Sequence, residues 1–263
     1  MGFHARNGLR FYQFDLFKGL PIFHAVLTRQ GGFSERPYAS LNTGGTVGDD
    51  PEDVFANHRK IFETFNYPFD SRFDVWQVHG NEVLCTDVPK EADTPHLKAD
   101  GILTDKPGVT LMMRFADCVP ILLYDPVVNV IGIAHAGWQG TYKKVAKTAV
   151  EKMTDCYGSQ PRDILAGIGP SICQDCYEVG QEPLDAFSGA FGQDRARRYF
   201  REQDGRLYLD LWTSNQDILH SAGVENIEIS GICTAENLSD WFSHRAERGN
   251  TGRFAVLMAL GDN

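Results

Sequence analysis

Three observations predict an α/β fold with mixed sheets for this chain of 263 residues. From Val109 to His135 the sequence breaks into three short apolar, β-branched runs, interrupted at Asp117-Cys118, Asp125-Pro126 and His135-Ala136-Gly137. Runs of that length between turn residues read as buried strands, with chemistry at their ends. Directly afterwards Tyr142, Val145, Ala146, Ala149, Val150 and Met153 recur three and four positions apart, with lysines and Glu151 between them, as an amphipathic helix requires. Beyond it, strand-like and helix-like segments alternate to the C-terminus.

In chain order, GGTVGDD at 44–50 reads as a turn before a helix over Glu52 to Phe65. It is no P-loop, which needs Gly-Lys-Ser/Thr between strand and helix. Asp49, Asp50, Glu52 and Asp53 suit the helix's first turn, where the backbone dipole favours negative charge, better than a calcium site. Pro89 to Lys98 reads as a charged surface loop. The helix that starts near Tyr142 stops at Gly158, a residue at ease in the left-handed conformation that ends helices. DILAGIGP at 163–170 is a strand, helices run from about Glu182 and from about Asp210 to His220, and NIEISGI and FAVLMAL are strands. No repeat, low-complexity tract or linker divides the chain, so residues 1–263 are expected to form one domain.

Composition narrows the function classes. Hydrophobic residues at 42% and charged residues at 23% can build a sizeable core. A formal charge of 25 − 35 = −10 repels a phosphate backbone, so nucleic acid is not an expected partner. No apolar run approaches the roughly 18 residues of a membrane span. The first residues lack a signal peptide's apolar core, and Arg6 stands where a myristoylation signal wants Ser or Thr, so a cytoplasmic location is expected. Six cysteines are too sparse for a disulfide scaffold and point to metal binding or catalysis. The acidic surface does not decide between a monomer and a homodimer.

His79 in VWQVHGNEV, Cys118 in RFADCVP and His135 in IGIAHAGWQG each sit at or just past an apolar strand. Two imidazoles and a thiolate suit Zn²⁺ and leave a fourth tetrahedral position open, as catalytic zinc sites do. The same residue types suit a metal-free hydrolase, with Cys118 as nucleophile, His135 or His79 as base, and Asp117 orienting an imidazole. A third possibility is a binding module in which zinc has four protein ligands and only closes the fold. The residues alone do not separate these.

The segments LTRQGGFSERPYASLNTG, VGDDPEDV, WQVHG, ADGILTD, ADCVPILLYD, AHAGWQGT, IGPSI, CYEVG, DLW, ICT and TGRFAVLMAL, in that order, resemble the laccase-domain family, also called the polyphenol oxidase or purine nucleoside phosphorylase family. The likeness runs over nearly the whole chain. It implies a layered α-β-β-α fold, similar to Cys/His toxin deamidases, and a zinc ion bound by His79, Cys118 and His135. It further implies phosphorolysis of adenosine, inosine and methylthioadenosine, and hydrolytic deamination of adenosine. Asp117 is then the nearest carboxylate for proton transfer, and Arg29, Ser40 and Asn42, with Arg59, are candidates to hold substrate or phosphate. The chain departs from the family at His58 and Gln139, where Arg is usual, and neither replaces a guanidinium's fixed charge and planar fork. Copper polyphenol oxidase is the family's older label, and a His₂Cys set can hold Cu²⁺, but multicopper oxidases draw on more histidines than the eight present. A cysteine amidohydrolase acting on a peptide or cell-wall precursor is the other alternative.

Cys173 and Cys176 form a C-x-x-C without a partnering pair or a nearby His pair, which favours a structural role. The nucleobase-deaminase signature is excluded, because Pro does not directly precede the first Cys and no Glu follows the His by two.

Overall fold

The computed structural model describes residues 2–92 and 94–261. Two six-stranded mixed sheets form its centre. The first runs, from edge to edge, Gly2–Arg6, Leu9–Gln13, Ile22–Leu27, Phe254–Leu260, Thr110–Phe115 and Arg72–Phe73. The second runs Asn226–Ile229, Leu165–Ile168, Val119–Asp125, Val130–Ala136, Gly101–Thr104 and Val83–Cys85. In the first sheet only the pair Arg72–Phe73 with Thr110–Phe115 is parallel. The second has parallel pairs at both edges and antiparallel pairs between.

The apolar runs are continuous because these strands are buried on both faces. Met112, Ala255 and Leu257 point to one side and pack with Ile61, Phe62 and Phe65 of the helix Pro51–Phe65. Their neighbours Leu111, Met113, Phe254 and Val256 point the other way and meet Leu122, Tyr124, Ile131 and Ile133 of the second sheet. Val119, Ile121 and Leu123, alternating with those, pack under Ala146, Ala149, Val150 and Met153 of the helix Val145–Tyr157 and Ile218 of the helix Leu211–Ser221. Helix, sheet, sheet and helix thus stack through three apolar clusters.

Helix ends follow local chemistry. Asp50 caps Pro51–Phe65 by accepting from the Glu52 amide at 2.9 Å, with Pro51 opening the first turn. The acidic cluster there is therefore occupied with helix initiation. Asp210 accepts from the Thr213 amide at 2.9 Å to start Leu211–Ser221. Gly158, at φ 77°, ends Val145–Tyr157 as expected. The predicted helix from Tyr142 is two pieces, Trp138–Tyr142 and Val145–Tyr157, because Lys144 takes a left-handed backbone at φ 62°.

The hairpin of Gly2–Arg6 and Leu9–Gln13 goes beyond the sequence pattern, since its outer strand is largely exposed and shows no alternation. Its turn is Asn7-Gly8, both at positive φ, the pair that two-residue hairpins favour. A small third sheet joins Glu178–Val179, Arg206–Leu209 and Phe200–Gln203. Among the described residues no helix is long and apolar enough to cross a membrane.

Candidate metal and substrate site

Cys118 lies in the connection between Thr110–Phe115 and Val119–Asp125, after Asp117, whose φ of 77° turns the chain sharply at the strand end. His135 is on the neighbouring strand Val130–Ala136, opposite Pro120. His79 comes from a loop beside the second sheet. Its imidazole lies 3.8 Å from the Cys118 sulfur, and the His79 and His135 ring centroids are 5.0 Å apart. One ligand atom from each of the three lies within 4.8 Å of the others, so the set can hold a metal ion.

Asp100 builds this arrangement. Its fully buried carboxylate accepts from the amides of Val78, His79 and Gly80 at 3.2, 3.0 and 2.6 Å, which shapes the loop bearing His79. It also accepts from His135 Nδ1 at 2.9 Å, which leaves Nε2 to face the sulfur and any metal. Burial raises the Asp100 carboxyl, but the His135 bond and charge and the amide bonds outweigh it and hold it below the ordinary carboxylate range. Gly137 is demanded by packing: a Cβ there would sit 2.8 Å from the Cys118 sulfur and 3.1 Å from His79.

Electrostatics couple the thiol and the imidazole. Burial opposes ionisation of Cys118, yet the charge of His135 and the bonds from His135 and His79 prevail and bring the thiol down to about 6. Burial likewise disfavours a charged His135, but the Cys118 charge and the bond to Asp100 lift it to about 9. An ionised sulfur is the form a metal ligand or a nucleophile needs.

These residues open on a cavity of about 780 Å³. Its walls carry Arg114, Arg245 and Arg253, with His96, Trp76 and Tyr177. Arg114 is turned by Asp74, which binds it at 2.9 Å and lies well below the usual carboxylate range: burial raises it, but His96, Arg114 and Arg72 together dominate. Arg253 gives Nη1 to the carbonyls of Thr251 and Gly252, and its Nε and Nη2 make no hydrogen bond among the described residues.

The other candidates divide. Asp117 lines the cavity, but its carboxylate accepts from the Thr234 hydroxyl at 2.7 Å and the Arg245 amide at 2.6 Å, so both oxygens are committed to holding chain segments. Arg29, Ser40, Asn42 and Arg59 do not line the cavity. Arg29 binds the Ala39 and Leu238 carbonyls and Glu247, and Ser40 donates to the Arg29 carbonyl, both beside a separate open recess. Asn42 accepts from the amides of Gly44 and Arg253 and so positions two cavity segments from behind. Arg59, 52% exposed, pairs with Glu63 on its own helix.

Of the two departures from Arg, only Gln139 faces the cavity. His58 is buried behind it, bound at 2.9 Å to the Thr43 carbonyl and at 3.0 Å to Arg72. Sequence reasoning left out Asp100, Arg114, Arg245, Arg253 and His96. The segments ADGILTD and TGRFAVLMAL contain two of them, whereas His96 comes from the loop expected to be only surface.

Fold and site together define an α/β protein with a His₂Cys set that could hold a metal ion, in an arginine-walled cavity. A family model described as multi-copper polyphenol oxidoreductase laccase matches residues 23–261, and the chain belongs to this laccase-domain family. The purine nucleoside phosphorylase YlmD of Bacillus subtilis is 41% identical, over 89% of this chain and 86% of its own. The purine nucleoside phosphorylase of Deinococcus radiodurans is 37% identical, over 92% and 90%. The crystal structure of YlmD from Geobacillus stearothermophilus superposes with a TM-score of 0.89 at 32% identity, covering 99% of each chain. With relatives so named, the copper oxidase alternative is not favoured. The expected likeness to toxin deamidases draws no support from these neighbours.

Proposed function

We propose that the chain is a zinc-dependent purine nucleoside phosphorylase of the cytoplasm. The observation that carries this reading is one cavity bearing both the His79, Cys118 and His135 set and arginines with donors to spare. His79, Cys118 and His135 would hold a zinc ion, which would supply Lewis acidity in the cavity. Arg253 and Arg245 hold the phosphate dianion against the sugar, so that a phosphate oxygen bonds to the anomeric carbon as the bond to the purine nitrogen breaks. Trp76, 52% exposed at the wall, offers an aromatic face on which the purine stacks. Gln139 removes one cation that the family resemblance led us to expect, and these arginines supply the charge instead. Adenosine, inosine and methylthioadenosine all present the glycosidic bond this chemistry needs.

Adenosine deamination is the secondary activity. It needs a proton carrier for the departing ammonia, and Asp117, the one carboxylate on the cavity wall among the described residues, has both oxygens engaged. His96 and His244 are the remaining wall groups able to carry that proton. A metal-free cysteine amidohydrolase is kept as a second reading, because Cys118 and His135 form an ionised pair without any metal.

Chromatography of adenosine incubated with zinc-loaded protein, with and without phosphate, tests the proposal. Adenine and ribose phosphate that appear only with phosphate are expected. Inosine alone would replace the phosphorylase by a deaminase. Turnover of an amide substrate by metal-stripped protein, with no nucleoside product, would favour the cysteine hydrolase.

A further inference from the structure

The C-x-x-C pair does have partners, and they come from far along the chain. Cys173 precedes and Cys176 ends the short turn Gln174–Cys176, and the Cys176 amide donates to the Cys173 carbonyl at 3.2 Å. Cys233 and Glu236 arrive from a second loop, which is tied alongside by the amide of Ser171 to the Ile232 carbonyl and the amide of Thr234 to the Ser171 carbonyl. One ligand atom from each of the four lies within 4.8 Å of all the others.

We propose that Cys173, Cys176, Cys233 and Glu236 form a second metal site that takes a zinc ion in a closed, structural coordination. A tetrahedral ion with Zn–S distances of about 2.3 Å places its sulfurs roughly 3.8 Å apart. The donors already stand near such a spacing: the Cys176 sulfur is 3.7 Å from Glu236 Oε1, and all four ligand atoms lie within 4.8 Å of one another. Three thiolates and one carboxylate complete four coordination, leaving no open position. Soft sulfur donors select zinc over calcium or magnesium.

Ordinary burial of cysteine does not account for the cluster. Cys173 and Cys176 are only half-buried and Glu236 is exposed, so this is no apolar pocket filled by small thiols. Glu236 forms no ion pair among the described residues, and its one hydrogen bond comes from the Cys176 thiol. A carboxylate turned toward three sulfurs, without a cation of the protein to answer it, is the arrangement a metal ion satisfies.

The site would act on the cavity at one remove. Ile172 donates its amide to the Asp117 carbonyl, and Thr234 donates its hydroxyl to the Asp117 carboxylate. Both are adjacent to cluster residues, so an ion there pins the two loops that brace the turn carrying Cys118.

The experiment uses full-length protein purified under reducing conditions and loaded with zinc or cobalt. Elemental analysis is expected to give two metal ions per chain. Cys118→Ser is expected to keep one, and its cobalt form to keep the intense thiolate-to-metal absorption of three sulfurs. In the Cys118→Ser background, Glu236→Cys should strengthen that absorption as a fourth sulfur joins, and paired Cys173→Ser and Cys176→Ser should abolish it. The Cys118→Ser arm decides even where the double variant does not fold. A single ion in the native protein, loss of all metal in Cys118→Ser, or a disulfide between cluster cysteines in the reduced preparation would each overturn the proposal.

Discussion

Arg29 and Arg253 both lie in segments that match the family, yet the protein uses them in opposite ways. Arg29 spends its guanidinium on the carbonyls of Ala39 and Leu238, on Glu247, and on the Phe242 ring, whose centroid is 4.3 Å away. Every strong donor direction there is answered by the chain itself. Arg253 uses one nitrogen on its own loop and presents the rest to a cavity that also holds His79, Cys118 and His135. A polar group answered by the chain contributes to the fold, whereas one facing an open cavity is left available to a ligand. Motif membership alone cannot tell these apart.

The largest expected effect is at the metal-binding set. His135→Ala should remove the bound metal of the cavity and lower kcat/KM by at least about 100-fold, the scale of losing one preorganised stabilising group. Elemental analysis and steady-state kinetics check it. Full activity in a metal-free variant would place the chemistry elsewhere in the cavity.

The buried His58 sharpens the comparison from the satisfied side. Its ring donates to the Thr43 carbonyl and accepts from Arg72, a neutral tautomer. Burial first, then the charges of Arg114 and Arg72, push it down to about 4 from an ordinary 6.5. The unfolded chain therefore binds a proton between pH 6.5 and 4 that the folded chain refuses. Stability contributed by the neutral ring is complete above 6.5 and declines as pH falls toward 4, by at most roughly 3 kcal/mol. His58→Gln, which keeps a donor and an acceptor, should flatten the fall in urea midpoint over that window while leaving nucleoside turnover near the native value. His24, buried and also lowered to about 4, adds a slope that this variant retains.

The two arginines can be set directly against each other. Arg253→Ala should raise the KM for phosphate by roughly 10- to 100-fold, as expected for losing a charge-assisted hydrogen bond to a bound anion. Arg29→Ala should leave that KM within experimental error and lower the unfolding midpoint instead. Kinetics and denaturant melts on both variants separate the cases, and the reverse pattern would dissolve the distinction.

What was legible in the sequence follows the same division. The strands from Val109 to Ala136 could be read because burial on both faces makes them continuously apolar, and the helix Val145–Tyr157 because one face is not. His79, Cys118 and His135 could be singled out because few residue types bind metal, although only Cys118 and His135 stand at strand ends and His79 lies in a loop. Asp100 could not, since an acidic residue before a glycine and a strand looks like any turn until three amides and an imidazole converge on it. Cys233 and Glu236 stand 60 residues from their counterparts, which is why the C-x-x-C looked unpartnered. Arg29 was legible as a motif residue but not as a structural one, because satisfaction is a property of the folded neighbourhood.

Asp100 belongs to both sides of the comparison, since it is fully satisfied yet exists to aim another group. Oδ1 accepts from the His79 amide and His135 Nδ1, and Oδ2 from the amides of Val78 and Gly80. Asp100→Asn forces a choice between these. If the amide nitrogen takes the Oδ2 place, it meets two N–H donors and the loop holding His79 loosens. If it takes the Oδ1 place, His135 must accept at Nδ1 and carry its proton on Nε2, the nitrogen a metal needs bare. Either way the cavity's metal affinity should fall roughly 10- to 100-fold, measurable by competition with a chelator. Nitrogen NMR of the metal-free variant distinguishes the two routes by the His135 tautomer. Undiminished affinity would mean that the strand and loop backbones hold His135 and His79 in place without their shared carboxylate.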